Sequence, residues 1–355
     1  MAVIKPVVLR SLRRALGNLG GERAPVIAGH KLLYRCNLEC RMCPFWRRED
    51  EELLGLADEI RIMDALAHAG VSFLGFEGGE PLLRRDVGEI LREAHDRFHT
   101  SMVTNGWLLE QRLSEVAPHL DLLFVSLDGI GETHDRLRGI PRSFDRATHG
   151  IRLARSEVPT VISHTVTREN LDQAEKVVEL AEQLDVGLTV QIAYDYRAAD
   201  PLSPRPETLR PVIEQLRDLR KSGAPLLESV EYFDAILGSW FEGDPWHCKP
   251  WLTINIDPAG RIVLPCYVLQ EYQGSLPVWA VNIRELWNEF DWAPYTSCNR
   301  CALACYLEPS LFRWTDFAAL RDRVIGGAVH YLQRTPRTSS RAASERRVQI
   351  DTPAP

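Results

Sequence analysis

The sequence contains no run of roughly eighteen apolar residues, the length a helix needs to cross a bilayer. Nor does it open with the charged, apolar and small-residue segments of a secretory signal, so a cytoplasmic location is expected. An excess of positive charge is missing too. The formal net charge is −7, which exerts no general pull on nucleic acid, and no nucleic-acid partner is expected. Without export, the eight cysteines do not read as a disulfide framework and point to metal ligation instead. What the chain does have is bulk: 355 residues, 45% of them hydrophobic, enough for one large core and a smaller companion.

From residue 31 onward, short β-rich runs alternate with helical periodicity. Strands are predicted at 31–34, 71–76, 101–104, 122–127, 160–166 and 187–192, and helices at 57–69, 86–98, 110–117, 144–156, 170–184 and 207–221. This succession predicts an α/β fold, a partial (βα)6 parallel barrel with its functional groups at the C-terminal strand ends, followed by a small C-terminal cysteine-rich β-hairpin domain. The expected division is an amphipathic helix and linker at 1–27, the barrel at 28–222, a connection at 223–247, the cysteine-rich domain at 248–310, a helix at 311–334 and a disordered tail at 335–355. The basic amphipathic stretch at 6–17 reads as a helix packed on the barrel, with peripheral membrane contact left open.

Cys36, Cys40 and Cys43 follow the first predicted strand in the spacing Cys-x3-Cys-x2-Cys. Three thiolates on one short loop can hold three irons of a cubane cluster and leave the fourth iron open. A zinc site wants a fourth ligand close by, yet His30 precedes the loop and His68 lies a helix away. Later strand ends carry polar or glycine-bearing runs. Glu77-Gly78-Gly79-Glu80-Pro81 ends the second strand, Thr104-Asn105-Gly106 the third and Ser126-Leu127-Asp128-Gly129 the fourth, with His134-Asp135-Arg136-Leu137-Arg138-Gly139 beyond it. Two adjacent glycines let the backbone approach a ligand, and Glu80 can accept a hydrogen bond from an amine. Thr165 and Gln191 at the fifth and sixth ends suit ribose hydroxyls or an adenine edge, whereas His164 reads as a structural histidine.

Taken together, these runs resemble the radical S-adenosylmethionine (radical SAM) enzymes over residues 28–305. The resemblance implies a 4Fe-4S cluster on Cys36, Cys40 and Cys43, and S-adenosylmethionine bound through its amino group near Gly78, Gly79, Glu80 and Pro81. Ser126 and Asp128 would lie near cofactor or substrate, and the guanidinium fork of Arg138 would pair with the methionyl carboxylate. Thr104, Asn105, Thr165 and Gln191 complete the expected cofactor-binding set. Met42 stands where the family usually has an aromatic residue, and it can still pack on an adenine ring.

A second group, Cys248, Cys266, Cys298, Cys301 and Cys305, surrounds an expected hairpin with a Pro258-Ala259-Gly260 turn. It resembles the SPASM and shorter twitch extensions that hold auxiliary iron–sulfur clusters, although Gly260 is separated from Cys266 by five residues rather than four and the longer cysteine series is lacking. Cys248, Cys266, Cys298 and Cys301 are the expected auxiliary ligands. Cys305 is either an alternative ligand or a free thiol able to donate hydrogen to a substrate radical. A zinc ribbon fits the same spacing, which keeps a zinc-stabilised binding module as the non-enzymatic alternative.

The resemblance implies reductive cleavage of S-adenosylmethionine to a 5′-deoxyadenosyl radical, hydrogen abstraction from substrate, and help from the auxiliary cluster in oxidation or bond formation. An external reductant such as ferredoxin or flavodoxin is the implied partner. A small-molecule or lipid substrate is expected because few residues precede the first strand, with Asp195, Tyr196, Arg197, Trp240 and Trp246 as pocket candidates. A radical epimerase and a ribosomal-peptide-modifying enzyme are the alternatives.

Overall fold

The computed structural model of the protein describes residues 23–49, 53–244 and 248–311. The amphipathic stretch at 6–17, Trp246, the helix expected at 311–334 beyond its first residue and the tail at 335–355 lie outside the described residues.

Six parallel strands stand side by side in chain order: β1 (Ile27–Lys31), β2 (Phe73–Glu77), β3 (His99–Thr104), β4 (Leu122–Ser126), β5 (Thr160–Val166) and β6 (Gly187–Ile192). Between them run α1 (Leu56–Ala69), α2 (Val87–His95), α3 (Leu109–Val116), α4 (Glu132–Arg138), α5 (Ser143–Ala154) and α6 (Ala174–Gln183), with α7 (Pro206–Lys221) after β6. Strand alternation sets the two faces. Leu74, Phe76, Met102, Leu123, Val125 and Ile162 are fully buried on the face that meets the helices. The opposite, inner face carries Gly75, Glu77, Ser101 and Val103, which leaves the inside of the open barrel hollow near the strand ends.

The first strand ends earlier than expected. Strand 31–34 is replaced by Ile27–Lys31, because pairing with β2 on one side and with a C-terminal strand on the other fixes the register. His30 inside it is satisfied by buried Glu59, its Nε2 lying 2.7 Å from Oε2. Leu32 and Leu33 are buried loop residues. Helix α4 was not expected; seven residues give too little periodicity to detect.

The hairpin forms as predicted, from β7 (Thr253–Ile256) and β8 (Arg261–Leu264), with β9 (Tyr272–Pro277) pairing beyond. It is not a separate sheet. β7 pairs in parallel with β1, giving a single nine-stranded sheet in the order β6-β5-β4-β3-β2-β1-β7-β8-β9. Of the remaining helices, α8 (Val230–Ala235) packs against α7 and α10 (Ala304–Leu311), and α9 (Ile283–Glu289) packs against α1.

Candidate active site

The cysteine loop leaves β1 and runs against the end of β2. The Leu32 N–H donates to Glu77 O at 2.9 Å, Gly79 N–H to Leu33 O at 2.7 Å, and Glu80 N–H to Arg35 O at 3.1 Å. The approach is so close that a Cβ on Gly79 would sit 2.1 Å from Arg35 O and 2.2 Å from Tyr34 O. Glycine is therefore required here by contact with backbone.

Cys36, Cys40 and Cys43 all line one cavity of about 270 Å³ at the C-terminal strand ends. The Cys36 and Cys43 sulfurs accept N–H groups from Leu38 and Phe45, each at 3.4 Å. Arg138 Nη1 donates toward Cys40 Sγ at 3.7 Å, and Asn105 Nδ2 reaches Cys36 Sγ at 3.9 Å. Burial pushes the Cys36 thiol up to about 12 and that of Cys40 to about 11. Iron would take the place of those protons, as metal binding by thiols requires. Three inward thiols with donors on their sulfurs fit the expected cluster, and the glycine-walled space beside them suits its cofactor.

The cavity brings together most of the expected set: Gly78, Gly79, Thr104, Asn105, Ser126, Arg138, Thr165 and Gln191 line it, and Met42 does too. Glu80, Pro81 and Asp128 do not. The Glu80 carboxylate accepts from Thr104 Oγ1 and Asn105 N, both at 2.7 Å, and from Leu82 N at 3.1 Å. Its oxygens are spent on joining the β2 and β3 ends, although burial still pushes its pKa up. Asp128 is fully buried, with Oδ2 2.6 Å from Arg138 Nε. Burial would raise this carboxyl, but Arg138 holds it below the usual range.

The run from His134 to Gly139 builds this arrangement. His134 Nδ1 accepts the Asp128 N–H at 3.0 Å, and Asp135 Oδ1 accepts from Ser143 Oγ and Phe144 N at the start of α5. Gly139, at φ +79°, ends α4 against the cysteine loop, where a Cβ would lie 2.7 Å from Glu39 O. His164 is buried and donates Nδ1–H to Leu127 O at 3.0 Å, while its Nε2 has no hydrogen-bond partner among the described residues.

Sequence reasoning missed the other end of the cavity: Lys31, Glu77, Phe45, Tyr194 and Leu303. The period of two along β2, which turns Glu77 to the side of Gly75, was the available signal. Of the pocket candidates around Asp195, only Tyr196 lines the cavity among the described residues. Trp240 instead donates its indole N–H to Asn299 O.

Cys248, Cys266, Cys298 and Cys301 line a second cavity, and Cys305, which is exposed, does not. Burial pushes Cys266 up to about 11 and Cys301 to about 12. Leu303 lines both cavities and so stands between them.

Two family models match the chain in succession. Residues 31–181 match the model of the radical SAM superfamily, and residues 188–324 match a domain of unknown function (DUF3463). The chain is 25% identical over 301 residues to the PqqA peptide cyclase of Granulibacter bethesdensis, covering 76% of this chain and 78% of that protein. It is 37% identical over 168 residues to the AdoMet-dependent heme synthase of Methanosarcina barkeri, covering 45% and 48%. Among solved structures, Streptococcus suis SuiB bound to S-adenosylmethionine superposes with a TM-score of 0.62 at 18% identity, covering 88% of this chain and 74% of that one. The anSMEcpe enzyme with AdoMet and a peptide superposes at 0.57 and 16% identity, covering 87% and 99%. These two likenesses concern the fold.

Proposed function

Because this chain belongs to the radical SAM superfamily, an enzyme family whose cofactors are a 4Fe-4S cluster and S-adenosylmethionine, we propose that it modifies a peptide substrate by radical chemistry. The zinc-stabilised binding module is thereby set aside. The observation that carries the peptide reading is the extent of the match to the PqqA peptide cyclase, 76% of the chain. The heme synthase match, at 168 residues, is too short to hold both Cys36 and Cys298 and speaks only for part of the machinery. The small-molecule or lipid substrate expected from the sequence finds less support than its peptide alternative.

When bound, the cluster and S-adenosylmethionine supply the hydrogen-abstracting radical. The residues of the chain do the rest. Cys36, Cys40 and Cys43 would hold the iron, with the Arg138 guanidinium beside the Cys40 sulfur, placed to meet a carboxylate. Gly78 and Gly79 keep the adjoining wall flat, and Asn105, Ser126, Thr165 and Gln191 offer hydrogen bonds along it. Phe45, Tyr194, Tyr196 and Leu303 are among the apolar residues of the lining, which suit keeping water from the reacting carbon. Cys248, Cys266, Cys298 and Cys301 give the second site a full protein ligand set, which suits accepting an electron rather than binding substrate.

Metal analysis after anaerobic reconstitution tests the ligand assignment. Cys248→Ala is expected to lose about half the bound iron, one cubane of two, while Cys305→Ala keeps it. Equal losses would sink the assignment. For the reaction, peptides deuterated at candidate positions are expected to transfer the label into 5′-deoxyadenosine. Transfer from a sugar or lipid but from no peptide would overturn the peptide reading.

A further inference from the structure

Lys31 and Glu77 are register partners at the ends of β1 and β2, and both side chains point into the first cavity. Lys31 is 2% exposed, with Nζ 2.9 Å from Glu77 Oε2. Its ammonium also lies 4.0 Å from the centre of the Phe45 ring and 4.1 Å from that of Tyr267. Phe45 stands two residues beyond Cys43 and Tyr267 directly after Cys266, so the ammonium is clamped between the two cysteine loops. Burying a lysine in this way costs stability that an apolar side chain would not, which makes a purely structural role a poor account of it.

Glu77 is different. Its side chain is 34% exposed, and among the residues lining the cavity it carries the only carboxylate. One oxygen faces Lys31; the other lies over Gly29, where a Cβ would come within 2.9 Å of it. The absent side chain at Gly29 leaves that oxygen room. Asn255 borders the same spot, with its Oδ1 3.6 Å from the same position and its buried Nδ2 without a hydrogen-bond partner.

We propose that Glu77, pinned by Lys31, is a specificity-determining residue that anchors the substrate by accepting a hydrogen bond from a neutral N–H or O–H group. Resting on the peptide reading of this cavity, it selects a serine, threonine or amide side chain beside the reacting carbon. Charge decides the class. A substrate carboxylate would face Glu77 and a substrate ammonium would face Lys31, so either would be buried against a like charge, whereas a neutral donor uses the acceptor without disturbing the pair.

The test uses the reconstituted protein loaded with S-adenosylmethionine and four heptapeptides, acetylated at one end and amidated at the other. Each carries a central serine, alanine, aspartate or lysine between two triglycine arms, and methyl α-D-glucopyranoside serves as a non-peptide hydroxyl donor. Calorimetric titration is expected to show the serine peptide bound at least about fivefold more tightly than the other three. Glu77→Gln should reduce that preference to less than about twofold. Lys31→Met, which keeps the length and the aromatic contacts, should leave an unpaired carboxylate and turn the preference to the lysine peptide. A role limited to holding the fold would weaken all four peptides alike. If the glucoside binds in a Glu77-dependent way and no peptide does, the peptide reading falls and the Glu77 assignment stands. If no probe depends on Glu77, or if Glu77→Gln leaves the order of the peptides unchanged, the assignment is overturned.

Discussion

Arg138→Met is expected to destabilise the protein by about 3–5 kcal/mol, because it leaves the fully buried Asp128 carboxylate without its cation. The loss has two components that can be separated. Asp128 also accepts the Thr165 N–H at 2.8 Å, tying the β4 end to β5, while the Arg138 Nη1 donates toward the Cys40 sulfur. Removing the charge on both sides, in Asp128→Asn with Arg138→Met, should restore much of the stability but not cleavage of S-adenosylmethionine. Denaturant unfolding of the two variants, with 5′-deoxyadenosine release measured alongside, checks both halves. A single variant that costs less than about 1 kcal/mol would show that the pair does not hold this wall together.

The second large effect lies away from the cavity. Glu228 is buried between β6 and α8; its Oε1 accepts from Thr189 Oγ1 and Val190 N, and its Oε2 has no partner. Burial pushes its pKa from 4.5 up to about 7. A raised carboxyl pKa means that the folded state holds a proton the unfolded chain has already released. Stability is therefore full below pH 4.5 and falls as pH rises toward 7, by about 3 kcal/mol at 1.36 kcal/mol per pKa unit. Glu228→Gln keeps the acceptor and carries no charge, so the variant should lack this slope and exceed the wild type above pH 7. Unfolding free energies of both proteins between pH 5 and 8 give the difference curve. Parallel curves would refute the effect.

The parts of this molecule legible in the sequence are those whose signal is local. β5 and β6 occur at their predicted bounds because continuous β-branched and apolar runs, flanked by turns, leave little choice. The first cysteine loop and the Gly78-Gly79 wall are contiguous motifs, recognisable by their resemblance to a family pattern, and both line the cavity at the strand ends. β1 escapes a sequence reading because Gly29 and His30 look unlike a buried strand; Gly29 leaves room for Glu77, and His30 is satisfied by a glutamate from α1. Glu80 and Asp128 belong to the cofactor wall by their place in a motif, whereas the fold uses their carboxylates as internal acceptors behind it. The Lys31–Glu77 pair is illegible for another reason: nothing within either residue's neighbourhood reveals that β1 and β2 place them side by side.

The pairing of β1 with β7 carries a further consequence, for how the molecule is made. Strand β1, which launches the first cysteine loop, sits between β2 and a strand that begins at Thr253. While the chain emerges from the ribosome, β1 can pair on one side only, and its other edge waits until more than two hundred residues have followed. The loop bearing Cys36, Cys40 and Cys43 can dock on the β2 end well before then, through Leu32, Leu33 and Arg35, while the strand that launches it keeps one open edge. Chains truncated before Thr253 should therefore expose β1 as an open edge prone to aggregation.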